Sequence, residues 1–340
     1  MPENNYVVLI TDYAWLDLRV EEEILSPLGA KVISADADQD KLLKLAPDAH
    51  IILINWKDVG SEVVRAARRC LALARYGIGL DNIAVDTATE EGILVTNVPA
   101  FCVEEVSDHT LALLLACARK LTTFDRTVKS GGTYSMQSGM PMYRLRGKTL
   151  GLVGLGKIAQ ALARKVQPLG FRLIAYSPNV PAEVASSAGV ELTEFEDLLS
   201  EADFITIHTP LTESSRNLFN RDAFAQMKPT AFLINTARGA IVDSKALLNA
   251  LDEGRLAGAG LDVLPEEPPR PDDPLPRHPK VIATPHSAFA SVESIQDLRV
   301  TTSRQAAQVL QGKIPHDIVN GDVLEQENCR LHRNQCHERV

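Results

Sequence analysis

The stretch Thr149-Leu-Gly-Leu-Val-Gly154-Leu-Gly156-Lys157-Ile158-Ala159 decides the fold. Thr149 to Gly154 is a short apolar run of the kind buried strands show, and Lys157 to Val166 has helical spacing. Between them, Gly154 and Gly156 let the backbone approach a ligand closely, while the helix N-terminus offers unpaired N–H groups and the positive end of its dipole. Strand, glycine turn and helix in that order predict a pyrophosphate cradle and hence a dinucleotide. Ala159 stands where such motifs place a third glycine, a position that concerns helix packing and tolerates alanine.

Outward from this motif the chain alternates. Downstream, Phe171–Tyr176, Phe204–His208, Ala231–Thr236, Ala259–Val263 and Val281–Thr284 read as further strands with helices between them, six in all with the first. Upstream, Tyr6–Ile10, Lys31–Ser34, His50–Asn55, Leu71–Arg75 and Leu94–Val98 form a second, smaller series. The predicted class is α/β, with two doubly wound parallel-sheet domains. One long helix, Val103 to Lys129, leads between them into a Gly- and Met-rich loop that ends at Met142, and a last helix, Ser291 to Gln311, returns to the first domain. The expected boundaries are 1–100 and 289–320 for a substrate domain and 101–288 for a nucleotide domain. Residues 321–340 are expected to be a disordered tail that can be deleted without loss of activity.

Composition narrows the function. A net charge of -9 without any Lys/Arg cluster argues against nucleic acid as a partner. No basic-then-apolar leader opens the chain, and the apolar helical stretch Leu111–Cys117 is too short to span a bilayer, so the expectation is a cytoplasmic protein with no membrane partner. Cys70, Cys102, Cys117, Cys329 and Cys336 are scattered and read as reduced thiols. The tail's Cys329, His332, Cys336 and His337 fit no standard zinc spacing, and no metal is expected.

Four segments, Gly77-Ile-Gly-Leu-Asp-Asn82, Gly151-Leu-Val-Gly-Leu-Gly156, Asn235-Thr236-Ala237-Arg238-Gly239 with Ile241-Val-Asp243, and Leu261-Asp262-Val263 through Glu267-Pro268 to Pro285-His286, resemble the D-isomer-specific 2-hydroxyacid dehydrogenases in order and spacing. Within that family, His286-Ser-Ala-Phe289 and Gly312-Lys-Ile-Pro315 resemble the C-terminal-binding-protein branch, which carries Trp where Phe289 stands. The resemblance implies a Rossmann nucleotide domain inserted into a flavodoxin-like substrate domain, an active site in the cleft between them, and a homodimer. It also implies NAD(P)-dependent, reversible reduction of a small 2-keto acid to a D-2-hydroxy acid. The branch suggests an alternative, a nucleotide-sensing protein-interaction (corepressor-like) module.

In that chemistry Arg238 offers a planar fork to the substrate carboxylate and carbonyl, and His286 is the general acid. Glu267, chosen over Glu266 because the family's glutamate directly precedes proline, orients the imidazole and favours its charged form. Ile78 and Gly79 present backbone N–H groups to the carboxylate. Trp56 can cap an apolar substrate side chain and Lys57 can favour an acidic one, as can Arg144 and Arg146; Phe101 is a pocket or a core residue, and Phe289 shapes the pocket with the Met136–Met142 loop. By resemblance Gly154, Gly156, Lys157, Ile158, His208, Thr209, Pro210, Thr236, Ala237 and Asp262 hold the cofactor, Asp262 meeting the nicotinamide carboxamide. Ser177 occupies the place of the acidic residue that selects NAD; no cation follows in Ser177-Pro-Asn-Val180 to grip a 2'-phosphate, so both NAD and NADP are expected to serve.

Overall fold

In the computed structural model, which describes residues 5–132 and 134–332, the chain divides into two units, Met1–Phe101 with Ser291–Val340 and Cys102–Ala290. The first carries five parallel strands, β1 (Tyr6–Ile10), β2 (Ala30–Ser34), β3 (Ile51–Ile54), β4 (Ala72–Arg75) and β5 (Leu94–Thr96), in the order β2-β1-β3-β4-β5. That is the flavodoxin-like order. Every residue of β3, β4 and β5 is buried, as expected of parallel strands covered on both faces. Alternate side chains feed separate cores: Val8, Ile10 and Leu53 pack with Leu298 and Val309, whereas Leu9 and Ile52 pack with Val63 and Val95.

The helix Val292–Leu310 begins with a reciprocal Ser291–Ser294 capping box. Its Arg299 is buried, and a bidentate pair to the fully buried Glu21 compensates its charge, with donor–acceptor distances of 3.0 and 2.7 Å.

The tail departs from expectation. A 3-10 turn spans Gly321–Glu325, and Val323, Cys329 and Leu331 are 0% exposed in the same core as Leu298 and Val309. Arg330 donates to the carbonyls of Ala67 (2.6 Å) and Glu91 (2.8 Å) and to the Glu91 carboxylate (3.0 Å). Polar composition suggested a tail, but three apolar side chains two to eight residues apart suffice to dock it once the first sheet offers a face. Residues 333–340, with Cys336 and His337, lie outside the described residues.

The second unit carries seven parallel strands: β6 (Thr149–Val153), β7 (Arg172–Tyr176), β8 (Glu191–Leu192), β9 (Phe204–Ile207), β10 (Phe232–Asn235), β11 (Gly258–Leu261) and β12 (Val281–Ala283). Their order, β12-β11-β10-β9-β6-β7-β8, is the doubly wound Rossmann pattern with one strand added at the far edge. The strand that sequence reading missed, β8, is two exposed residues at the other edge and carries no apolar run. The long helix is two, Val103–Arg119 and Leu121–Lys129, because Lys120 adopts the left-handed conformation (φ 55°) and lays its ammonium 4.7 Å from the Phe232 ring centroid. No glycine or proline marks that break in the sequence.

The Met140–Leu145 segment also departs from expectation. With Lys120, Lys148, Asp203, Phe232 and Lys280 it lines a cavity of about 250 Å³ at the N-terminal ends of the strands. A segment that feeds directly into β6 must reach that end of the sheet, whereas the glycine turn leaves the other. Within this unit Arg144 and Arg146 therefore stand away from the glycine turn.

Candidate active site

The glycine turn has the geometry its motif requires. Gly154 sits at φ +93°, and a Cβ there would lie 2.8 Å from the backbone of His208 and 2.9 Å from the amide of Thr209, so glycine is needed to seat the His208-Thr209-Pro210 segment beside the turn. Gly156 caps the helix Lys157–Val166 and faces open space, with no atom beyond itself and its chain neighbours within 4 Å of its Cβ position. Protein packing gives no reason for a glycine at that point, and a phosphate against the helix N-terminus does. The Leu155 N–H donates to Ser177 Oγ (3.3 Å), which ties Ser177, the expected ribose-side position, to the turn. The residues present thus fit a dinucleotide: Gly154, Gly156, Lys157 and Ile158 form a glycine turn and helix N-terminus of the kind that would hold a pyrophosphate.

Burial holds His208 neutral, its pKa pushed down to about 4, with Nε2 3.0 Å from Thr206 Oγ1. The folded state resists a proton that the unfolded chain takes up near 6.5, so this contribution is complete above pH 6.5 and is lost as pH falls toward 4. Its ceiling is roughly 3 kcal/mol. Urea midpoints at pH 4.5 and pH 7 should accordingly differ less for His208→Gln than for the parent; an equal difference would remove His208 from the acid branch.

Arg238, Glu267 and His286 leave the C-terminal ends of three adjacent strands, β10, β11 and β12, whose register pairs Asn235 with Leu261 and Leu261 with Ala283. His286 Nδ1 lies 2.6 Å from Glu267 Oε2, and Glu267 Oε1 accepts the Leu264 N–H at 2.8 Å. Partial burial pushes the Glu267 carboxyl up, but the hydrogen bond and charge of His286, the Leu264 N–H and the Arg238 charge outweigh it and hold the group below its ordinary value. An ionised carboxylate only accepts, so Nδ1 carries the proton and Nε2 is left to face a substrate. His286 itself stands at φ +50°, an unusual conformation fixed by its N–H bond to the Asp262 carbonyl (2.8 Å). The Arg238 and Glu267 loops meet at Gly239, where a Cβ would fall 2.0 Å from the Leu264 carbonyl carbon.

Three supporting residues escaped the sequence reading or received another role there. Buried Asn235 accepts from the Ala237 N–H (3.0 Å) and donates to the Arg238 carbonyl (2.9 Å), which sets the Thr236-Ala237-Arg238 turn. Asp262, expected at the cofactor, spends its carboxylate on the His286 loop: Oδ1 accepts from Thr284 Oγ1 (2.6 Å) and Ser287 N (3.0 Å), Oδ2 from Ala288 N (2.9 Å). In the first unit, buried Asp12 accepts the N–H groups of Trp56 (3.1 Å) and Lys57 (3.0 Å). The available signal was a polar residue ending or following an apolar strand.

Also in the first unit, Trp56 is 49% exposed beside partly buried Lys57. Asn97 Nδ2 donates to the Ile78 carbonyl (2.9 Å) and Arg75 Nε to the Gly79 carbonyl (3.1 Å). With those carbonyls satisfied, the two residues can turn N–H groups outward. Phe101 packs partly buried against the Leu298 core, the structural alternative that its sequence position left open. In the second unit Phe289 stands edge-on to the His286 ring at 6.3 Å between centroids.

Residues 111–288 match the family model described as "D-isomer specific 2-hydroxyacid dehydrogenase, NAD binding domain". The chain is 37% identical over 318 residues to glyoxylate reductase of Korarchaeum cryptofilum, covering 93% of this chain and 92% of that one. The chain belongs to this family. It is also 36% identical over 308 residues to D-3-phosphoglycerate dehydrogenase of Methanocaldococcus jannaschii, matching 90% of this chain but only 58% of that longer protein. Among solved structures, D-lactate dehydrogenase from Aquifex aeolicus complexed with NAD and lactic acid superposes with a TM-score of 0.85 at 28% identity, over 92% of this chain and 99% of that one.

As a D-2-hydroxyacid dehydrogenase the protein is an NAD(P)-dependent oxidoreductase by family, and its two parallel sheets, the larger within the matched NAD-binding domain, are the fold of that class. The relatives named above carry the names of metabolic enzymes, and nothing in them places the chain in the C-terminal-binding-protein branch. No group of three or more His, Cys, Asp or Glu side chains among the described residues is arranged to hold a metal. No helix among them is long and apolar enough to cross a membrane.

Proposed function

We propose that this dehydrogenase reduces a small 2-keto acid to the D-2-hydroxy acid, with His286 as proton donor, Glu267 as its orienting carboxylate and Arg238 as the substrate anchor. The observation that carries the reading is the 2.6 Å contact between His286 Nδ1 and Glu267 Oε2 beside the Arg238 turn. When bound, the reduced nicotinamide supplies the hydride. Arg238 holds the carboxylate and carbonyl oxygen with a fork that lysine does not offer. Acting as the imidazolium, with hydrogen on both ring nitrogens, His286 gives its Nε2 proton to the oxygen as negative charge develops there, and the neutral imidazole that remains keeps the Nδ1–H that Glu267 accepts. In the first unit, the Ile78 and Gly79 N–H groups take the carboxylate, and Trp56 and Lys57 face the rest of the substrate. In the oxidative direction the same imidazole acts as base.

Ser177 leaves the cofactor choice open toward both NADH and NADPH. Ser177→Asp should favour NADH over NADPH by at least about tenfold in kcat/KM, because a carboxylate grips the 2'-hydroxyl and repels a 2'-phosphate. Unchanged selectivity would place the ribose elsewhere. Buried unpaired thiols at Cys70, Cys102, Cys117 and Cys329 support a cytoplasmic setting. Exposed Leu121, Val128, Tyr134, Met136, Met140 and Tyr143, all within one segment of the nucleotide domain, support a homodimer through that domain.

The test is loss of reduced-nicotinamide absorbance with NADH and NADPH against small, aromatic, dicarboxylic and phosphonate-bearing 2-keto acids. Turnover on at least one supports the reading. Tight cofactor binding with no turnover would favour the nucleotide-sensing interaction module.

A further inference from the structure

Just beyond the ends of β10, β11 and β12, the strand register sets Thr236, Asp262 and Thr284 in a row. From these three positions the chain runs on to Arg238, Glu267 and His286. One helix, Val103–Arg119, meets the row with two consecutive residues. Thr110 Oγ1 lies 2.9 Å from Thr236 Oγ1, and His109 Nε2 lies 3.0 Å from Thr284 Oγ1 and 3.5 Å from Asp262 Oδ1.

The hydroxyl protons assign the directions. Thr284 has one hydroxyl hydrogen and gives it to the Asp262 carboxylate at 2.6 Å, so it can only accept from His109, whose Nε2 must carry a hydrogen. Thr110 gives its hydrogen to the Val106 carbonyl at 2.7 Å, so Thr236 donates to Thr110. A chain of donors thus runs from His109 through Thr284 to Asp262, and Asp262 in turn accepts the His286 N–H on its carbonyl and the following Ser287 and Ala288 N–H groups on its carboxylate. His109 is only 25% exposed at its side chain, and the Asp262 side chain is fully buried. A hydrogen bond there is therefore shielded from water and directional.

We propose that His109, as its Nε2–H tautomer, is a positioning residue that sets the His286 loop through Thr284 and Asp262. It touches neither substrate nor cofactor in this role. The inference rests on the reductase reading above, since the loop it positions is the one assigned the proton transfer.

His109→Leu should lower kcat by at least about tenfold through a sub-ångström displacement of His286, with keto-acid KM and cofactor Kd each within about threefold of the parent. The primary isotope effect with C4-deuterated reduced nicotinamide should rise. His109→Gln, whose amide N–H can reach the same oxygen, should recover most of the loss. Wild-type kcat in a folded His109→Leu, or a Gln variant no better than Leu, would overturn the proposal. Should His109→Leu not fold, Thr284→Val decides, because it removes the acceptor and keeps the shape: a matching loss of kcat supports the proposal and parental kcat overturns it. If the parent reduces no keto acid, the reductase reading fails by itself. Long-range proton–nitrogen NMR then still judges the tautomer, with Nε2–H on His109 supporting the assignment and Nδ1–H overturning it.

Discussion

Replacing His286 by alanine is expected to lower keto-acid turnover at least about a hundredfold, the usual scale of a lost general acid, while cofactor affinity stays within about twofold. Glu267 cannot substitute for it. Glu267, at 2.6 Å from Nδ1, is ionised and held below its ordinary carboxyl value, chiefly because the His286 bond and charge, with the Leu264 N–H and Arg238, overcome the opposing effect of burial. A carboxylate in that state is a poor proton donor at neutral pH. The sign of its linkage follows from the same depression. The pair's contribution to stability is complete above the unfolded carboxyl value of about 4.5 and is lost as pH falls through the lower folded value. Stopped-flow turnover and cofactor titration of His286→Ala separate the two roles. Near-parental turnover would remove His286 from the chemistry.

Truncation after Asn320 is expected to cost on the order of 5 kcal/mol and lower the unfolding midpoint by about 10 °C or more, or to prevent folding of the first unit. The deletion strips fully buried Val323, Cys329 and Leu331 from the core around Leu298 and Val309. Each such side chain contributes about 1.5–3 kcal/mol by burial. It also removes the Arg330 guanidinium that caps the Ala67 and Glu91 carbonyls, which then face a void or water. A domain is stable by only about 5–15 kcal/mol in total, so a loss of this size is a large share. Calorimetry of the truncated chain checks the point; an unchanged midpoint would mean that the packing of this segment contributes little.

The fold was legible because its signals are local. An apolar run, two glycines and a helix at 149–166 are enough to announce a nucleotide-binding turn, and parallel strands buried on both faces must be apolar throughout, so β3, β4, β9 and β10 stand out without knowledge of their neighbours. Arg238, Glu267 and His286 were legible as types in a pattern. What the chain could not announce depends on distant partners. Lys120 breaks a helix because the Phe232 ring receives its ammonium. Residues 321–332 fold because the first sheet offers them a face, and neither partner is visible in a polar tail. Asp262 read as a cofactor residue, and nothing in the sequence singled out His109. Only the packing of the helix Val103–Arg119 against β10 and β11 brings them, 153 positions apart, to one hydrogen-bonded row. Sequence by itself determined the chemistry available and the sheets that carry it, since periodicity and residue type act over a few neighbours. Tertiary structure alone decided which polar groups meet, because hydrogen bonds are made at about 3 Å and chain separation says nothing about that distance.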